Sequence, residues 1–474
     1  MRPLLLLPEL LLAAGALTAL IGGSFLPRQR QWPVRIFTVV VLVATIVATI
    51  VAAALPLRAP ATTAFADSYA IDTATGVARI LAASGTLLVL AVAADEIAGS
   101  ARESETYALL LFATTGAVLL AGANDLLVLA VGFLLTSIPL YALIGLARTP
   151  GSAEATMKAY LAGVLFGVLL LLGVTVLSGL TGGTTYVELT DRLAGAPRAA
   201  VTVAAVAVIS GLMFKAGGVP GHFWVPDAAE AANATAATFL TTVPKIGALV
   251  AIYRLASVLP ASSSWPALVA ALAVASMTLG NLAAYWQPDP RRLLGWSTVS
   301  QVGFLLVPVV AAGRSGLALP SLLGYLTGYT VTNIAAFAVS AALPRRRNLA
   351  DWRGLGTGRP WLAAALLVAL LGLVGTPPTA VFVGKLTTAT AAWDAGYAWL
   401  AVVVFVNTVI SLFYYLRWIA AAFRGHRQAP PGIGEVAPPN EGRPWSARLA
   451  VVAAALSLVV GLASGLVWSV VARP

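Results

Sequence analysis

The sequence predicts an all-α polytopic membrane protein of about fourteen transmembrane helices, and three observations carry that reading. Hydrophobic residues make up 59% of the 474 and charged residues only 10%, with a mean hydropathy of +0.90, outside the range of soluble domains. Apolar stretches of about 20 residues, the length an α-helix needs to cross a bilayer, recur along the chain between Pro, Gly and charge. Basic residues gather in alternate loops.

The first six stretches fall at about 4–24, 34–55, 75–94, 106–122, 124–146 and 155–178. The span after Met1 and Arg2 has no convincing cleavage site and further spans follow at once, so it reads as retained and not as a signal peptide. Eight more stretches lie at about 199–218, 234–258, 264–286, 295–312, 321–343, 361–390, 396–420 and 447–471. Loops after odd-numbered spans hold seventeen cations: Arg28, Arg30, Arg35, Arg102, Arg148, Lys158, Arg291, Arg292, Arg345, Arg346, Arg347, Arg353, Arg359, Arg424, Arg427, Arg443 and Arg448. Loops after even-numbered spans hold four, Arg58, Arg192, Arg198 and Arg314. A missed or invented span would scramble that bias, which places the odd loops in the cytoplasm and both termini outside.

Two spans are interrupted. Span 7 runs into GGVPG at 217–221, and the stretch at 361–390, too long for one straight crossing, contains Gly375, Pro377 and Pro378 followed by Gly384 and Lys385. Two broken helices five spans apart are the trace expected of two inverted-topology repeats. On this reading 1–105 hold spans 1–3, 106–260 the first five-helix repeat, 261–425 the second, and 426–474 a loop and the last helix.

The chain has no cysteine and two histidines, His222 and His426, so Fe–S clusters and Cys or multi-His metal sites are excluded and no redox centre is expected. There is no Walker A or HExxH sequence, and GLGTGR at 354–359 sits in an Arg-rich connection with no strand before it, so nucleotide binding has no support. The net charge of +11 serves orientation, and no nucleic-acid partner is expected.

Candidate chemistry lies in the lysines. Arginines number 25 and lysines four, and three of those four, Lys215, Lys245 and Lys385, stand inside membrane-length apolar surroundings. Arginine keeps its proton almost anywhere, whereas a desolvated lysine can load and release one. Pro220 follows Lys215 and Pro244 precedes Lys245, so freed backbone carbonyls are expected beside each charge. Lys215 also reads as a side chain snorkelling from a helix end. His222 suits either a proton carrier between Lys215 and Lys245 or a structural hydrogen bond. Lys158 fits either a channel mouth or an orienting charge. Asp227 and Glu230 either balance the lysines or are solvated, Glu230 more readily the latter. Ser297, Thr298, Ser300 and Gln301 in span 10, with Tyr325, Tyr329, Thr330, Thr332 and Asn333 in span 11, suit a water wire or helix–helix hydrogen bonding equally.

In order along the chain stand LLPEL (6–10), NDLL (124–127), SIPLY (137–141), EATMKAY (154–160), FKAGGVPGHFWVPD (214–227), FLTTVPK (239–245), RRLLGWSTVSQVGFLL (291–306), LADWRGLG (349–356) and GTPPTAVFVGK (375–385). With these motifs the chain resembles the antiporter-like membrane subunits of NADH-quinone oxidoreductase (complex I), subunit N above subunits L and M and the Mrp cation/proton antiporters. The resemblance covers nearly the whole sequence. It implies a fourteen-helix fold in which Lys215, Lys245 and Lys385 carry protons, driven by quinone reduction elsewhere. The cofactors, NADH and a quinone, would be used by other subunits, and the partners would be subunit M-like and K/J-like neighbours in a bacterial plasma membrane. Three departures mark a divergent paralogue: Leu134 where the family has a glutamate paired with the Lys215 position, Gln301 where a histidine is common, and AEAANA at 229–234 in place of Y-x-G-A-P. Leu134 leaves open a non-pumping structural subunit, and a stand-alone or Mrp-type cation/proton antiporter is a third reading.

Overall fold

The computed structural model describes residues 3–54, 62–260, 263–425 and 442–472; Arg58, His426, Arg427 and the rest of 426–441 lie outside the described residues. The chain runs through α1 (Leu7–Ser24), α2 (Trp32–Ala54), a hairpin of β1 (Thr62–Ala64) and β2 (Tyr69–Ile71), α3 (Thr73–Glu96), α4 (Glu103–Gly122), α5 (Leu126–Gly145) and α6 (Pro150–Thr181). It continues through α7 (Tyr186–Arg192), α8 (Arg198–Ala216), α9 (Trp224–Ala231), α10 (Ala234–Leu240), α11 (Val243–Val258), α12 (Trp265–Ala284), α13 (Pro290–Val310) and α14 (Ala318–Ala342). After α15 (Leu355–Gly358) come α16 (Pro360–Val374), α17 (Ala380–Asp394), α18 (Ala398–Phe423), α19 (Pro444–Leu462) and α20 (Ser464–Val471).

Among the described residues 13 helices are long and apolar enough to cross a membrane, with α10 and α11 taken together. The fourteenth crossing is the broken pair α16–α17, whose 15-residue halves are each too short alone. Boundaries follow local chemistry that hydropathy overlooks. The sixth helix begins at Pro150, five residues earlier than its apolar run, because Thr149 and Ser152 form a capping box around an N-terminal proline. Asp125 caps α5 by accepting from the Leu127 and Val128 amides, and it also accepts from Thr184.

The expected parity of the loops holds. Glu96 after the third span, Glu154 and Lys158 after the fifth, Asp227 and Glu230 after the seventh, Arg291 and Arg292 after the ninth, and Arg347 after the eleventh all line one cavity. At the opposite end the hairpin meets the α4–α5 connection through a bridge between Tyr69 and Ala123, and Asp125 bridges to Thr185 before α7.

The centre is formed by Ala234–Val258, α13 and α14, with 100, 94 and 83% of their spans buried against 28% for α2. Such central helices offer a charge no route to lipid. Near the hairpin an ion pair is buried: Arg79 on α3 donates from Nε and Nη2 to the two Glu9 oxygens of α1 at 2.6 and 2.8 Å, and Tyr69 Oη donates to Glu9 at 2.7 Å. Burial, aided by the Glu9 charge, holds the Tyr69 phenol well above its ordinary range, so it stays a donor.

Candidate functional site

Two helix breaks organise the site. The first half-helix, α8, ends where Gly217 turns left-handed at φ +79°, and the Gly217 and Gly218 amides both return to the Met213 carbonyl. The other, α16, ends at Gly375 with φ +88°, and the Gly375 and Thr376 amides return to Leu371. Both are left-handed caps of one kind, and each leaves a terminal carbonyl in need of a donor. Lysines supply it. Lys245 Nζ on α11 donates to the Ala216 carbonyl at 2.5 Å, and Lys385 Nζ on α17 donates to the Val374 carbonyl at 2.8 Å, 3.9 Å from the Phe304 ring centre. An ammonium at the negative end of a half-helix is electrostatically favoured.

Lys215, Lys245 and Lys385 are 1, 0 and 4% exposed, so Lys215 does not snorkel. Its ammonium reaches Ser137 Oγ at 2.5 Å and lies 4.9 Å from the Phe133 ring centre. Among the described residues no carboxylate comes within ion-pair distance of any of the three. Leu134, where the resemblance implies a glutamate, lies 44% exposed on an outer stripe of α5 with Leu127, Val131 and Ile138. Ser137, one turn on, takes the lysine instead.

Hydrogen bonds connect the breaks through α13 and α14. Tyr329 Oη donates to the Thr241 carbonyl at 2.7 Å, and Asn333 Nδ2 donates to Thr242 Oγ1 at 2.9 Å, both just before Lys245. Gln301 is fully buried; it accepts from Tyr325 Oη at 2.7 Å and donates to the Leu373 carbonyl at 2.9 Å, beside the carbonyl that Lys385 holds. Gln301 and Tyr329 are therefore brought to the lysines. Ser300 does not contact them directly: its hydroxyl donates to Asn281 at 2.7 Å, in a buried cluster with Asn407 and Tyr414 whose Tyr414 ring packs on Tyr415.

His222 is not in direct contact with Lys215 or Lys245. The loop after Gly217 directs its ring against Trp296, 5.6 Å between centres, and among the described residues no hydrogen bond joins it to either lysine. Nor is Asp227 paired with either. It binds Lys158 at 2.9 Å and Arg292 at 2.6 Å, while Glu230 pairs with Arg292 at 2.8 Å, because the α9 turn projects both acids towards the Arg-rich face. With Glu154 these groups line a charged cavity of about 640 Å³ that opens at that face. Among residues that sequence reasoning passed over, Thr241 and Thr242 had a visible signal, consecutive hydroxyls inside a membrane-length run. Ala216 and Val374 had none, since they act through main-chain carbonyls.

Residues 123–411 match the family described as NADH:quinone oxidoreductase/Mrp antiporter, TM. A NADH-quinone oxidoreductase subunit N from Mycobacterium sp. (strain JLS) is 64% identical over 472 residues, covering 99% of this chain and 98% of the relative. A subunit N 1 from Streptomyces griseus subsp. griseus is 49% identical over 471 residues, with 98 and 97% covered. A chain of respiratory complex I from Thermus thermophilus with bound aureothin superposes with a TM-score of 0.82 at 30% identity, over 99% of this chain and 100% of that one. The Mrp complex from Dietzia sp. DQ12-45-1b supplies a chain with a TM-score of 0.86 at 22% identity, over 100 and 97%, a likeness of fold alone.

Proposed function

Because this chain belongs to the family of NADH-quinone oxidoreductase subunit N, antiporter-like multi-pass membrane proteins, we propose that it moves protons across the bilayer through Lys215, Lys245 and Lys385. Quinone reduction in other subunits, which hold the NADH and quinone sites, drives the transfer. Subunit M-like and K/J-like neighbours flank it in the bacterial plasma membrane, with the Arg-rich face in the cytoplasm.

The observation that carries this reading is the placement of Lys245 and Lys385: interior ammonium groups, with no carboxylate in ion-pair distance among the described residues, each held by the terminal carbonyl of a broken helix. A fixed charge there would need a counter-ion, whereas a group that alternates between ammonium and amine needs only an acceptor that favours the charged state. The dipole and carbonyl of the half-helix provide it. Polar groups from Thr241 to Tyr329, and from Tyr325 through Gln301 to Leu373, line the ground between the two sites. The charged cavity beside Lys158 and Asp227 supplies the cytoplasmic mouth.

A non-pumping structural subunit is the second reading, favoured by Leu134, since a lysine that only caps a helix end needs no proton exchange. Arginine substitution separates the two. A guanidinium can still donate to the Ala216 or Val374 carbonyl but does not release its proton. In inverted vesicles carrying the assembled oxidoreductase, Lys245→Arg and Lys385→Arg are each expected to lower proton uptake per NADH oxidised while the subunit stays in the complex. Unchanged uptake in both variants would leave the structural reading standing.

A further inference from the structure

Lys245 and Lys385 each lie over a glycine, and the glycines do more than end a helix. A Cβ built on Gly217 would stand 2.8 Å from Lys245 Nζ and 2.7 Å from Val225 Cγ2. A Cβ on Gly375 would stand 3.0 Å from Lys385 Cδ, and its next neighbour, Phe382 Cα, is an ordinary 3.6 Å away. Left-handed backbone alone does not explain this crowding. Gly396, at φ +85°, and Gly313, at φ +72°, have nothing within 4 Å of the same atom. At 217 and 375 the space that a side chain would fill is the space the lysine occupies.

We propose that Gly217 and Gly375 are positioning residues for proton transfer: each ends its helix in a left-handed turn that leaves the preceding carbonyl, of Ala216 or Val374, to the lysine, and each omits the side chain that would crowd Lys245 or Lys385 there. The inference rests on the lysine relay. It adds that the seat of each lysine is made by the glycine and that the two seats are built alike. A methyl at 217 would meet the Lys245 ammonium itself, and one at 375 would press on the Lys385 side chain at Cδ, so in each case the lysine has to shift within its seat and its hydrogen bond to the carbonyl is weakened. A hydrogen bond to a charged group is worth enough to change proton occupancy by about tenfold or more, roughly one pH unit.

The cleaner variant is Gly375→Ala, since its added methyl meets only the flexible lysine side chain closely. The control is Gly396→Ala, which imposes the same left-handed strain with open space around it. In vesicles holding the assembled complex, Gly375→Ala is expected to lower proton uptake per NADH severalfold and to displace the pH at which uptake is half-maximal by about one unit. Gly396→Ala is expected to leave both unchanged. For Gly217 the variant is paired with Val225→Ala, which removes the packing clash but not the clash with Lys245. Pumping is expected to stay impaired in the pair, and recovery there would mean that Gly217 matters only for packing. Matching profiles for Gly375→Ala and Gly396→Ala would overturn the proposal. A normal Lys385→Arg with an impaired Gly375→Ala would instead sink the relay while leaving the glycine needed for the fold.

Discussion

Replacing Glu9 by alanine strands a guanidinium in the protein interior. Side chains of Arg79 and Glu9 are 3 and 6% exposed and pair through two hydrogen bonds, while Tyr69 adds a third contact to the same carboxylate. In the variant Arg79 keeps the Leu5 carbonyl at 3.1 Å and the face of the Tyr69 ring at 5.9 Å, and Tyr69 keeps the Val118 carbonyl at 3.0 Å, but among the described residues no carboxylate is left beside the guanidinium. Breaking a buried pair from one side costs about 3–5 kcal/mol, because the surviving charge remains desolvated. A kcal/mol moves the melting temperature of a 150–250-residue domain by about 2–4 °C, and roughly half that for a chain of this length, so the loss is about 3–10 °C. Fluorescence-detected thermal aggregation of the detergent-solubilised full chain measures it. The double variant Glu9→Leu/Arg79→Met removes both charges and is expected to recover at least half of the loss. A Glu9→Ala protein melting within about a degree of the wild type, or a double variant no better than the single one, would refute the assignment of this pair as a buried support between α1 and α3.

Topology and position 134 give two further tests. The chain has no cysteine, so single cysteines at Arg353, on the Arg-rich face, and at Asp191, on the opposite one, are expected to react with an impermeant thiol reagent only from the cytoplasmic and only from the outer side respectively; reversed labelling would overturn the orientation. Leu134→Glu places an acid on the outer stripe of α5, so lower abundance of the chain in membranes with an unchanged pH profile of pumping is expected. Full abundance with a displaced profile would show that the glutamate has reached Lys215.

Most of the fold was legible in the sequence because a bilayer imposes length and sidedness on every crossing. Apolar runs located the helices to within a few residues, and the arginines identified which loops share a face. Elements held by local polar chemistry were harder to see. The β1–β2 hairpin is only three residues on each strand, and the early start of α6 comes from a capping box. The Glu9–Arg79 pair joins residues 70 apart, each of which alone resembles an ordinary end-of-helix charge.

The site was legible by residue type and less so by connection. Prolines beside Lys215 and Lys245 announce free carbonyls, and free carbonyls are what the lysines bind. Lys245, however, takes one from a different helix, 29 residues back, while Lys385 takes one 11 residues back across its own break. An offset of 158 residues carries Gly217 onto Gly375 and Pro220 onto Pro378, and it also carries Asp227 onto Lys385. A register drawn on the breaks therefore sets an acid against a base, and one drawn on the lysines would separate the glycines. The two halves share the backbone break and its free carbonyl but fill it differently: α17 supplies its own ammonium, whereas α9 turns its acid outward to Lys158 and Arg292 and leaves α11 to supply the charge. A backbone acceptor accepts an ammonium from whichever helix can reach it, so the left-handed glycine and its neighbouring carbonyl, and not the lysine's place in the chain, are what the two breaks have in common.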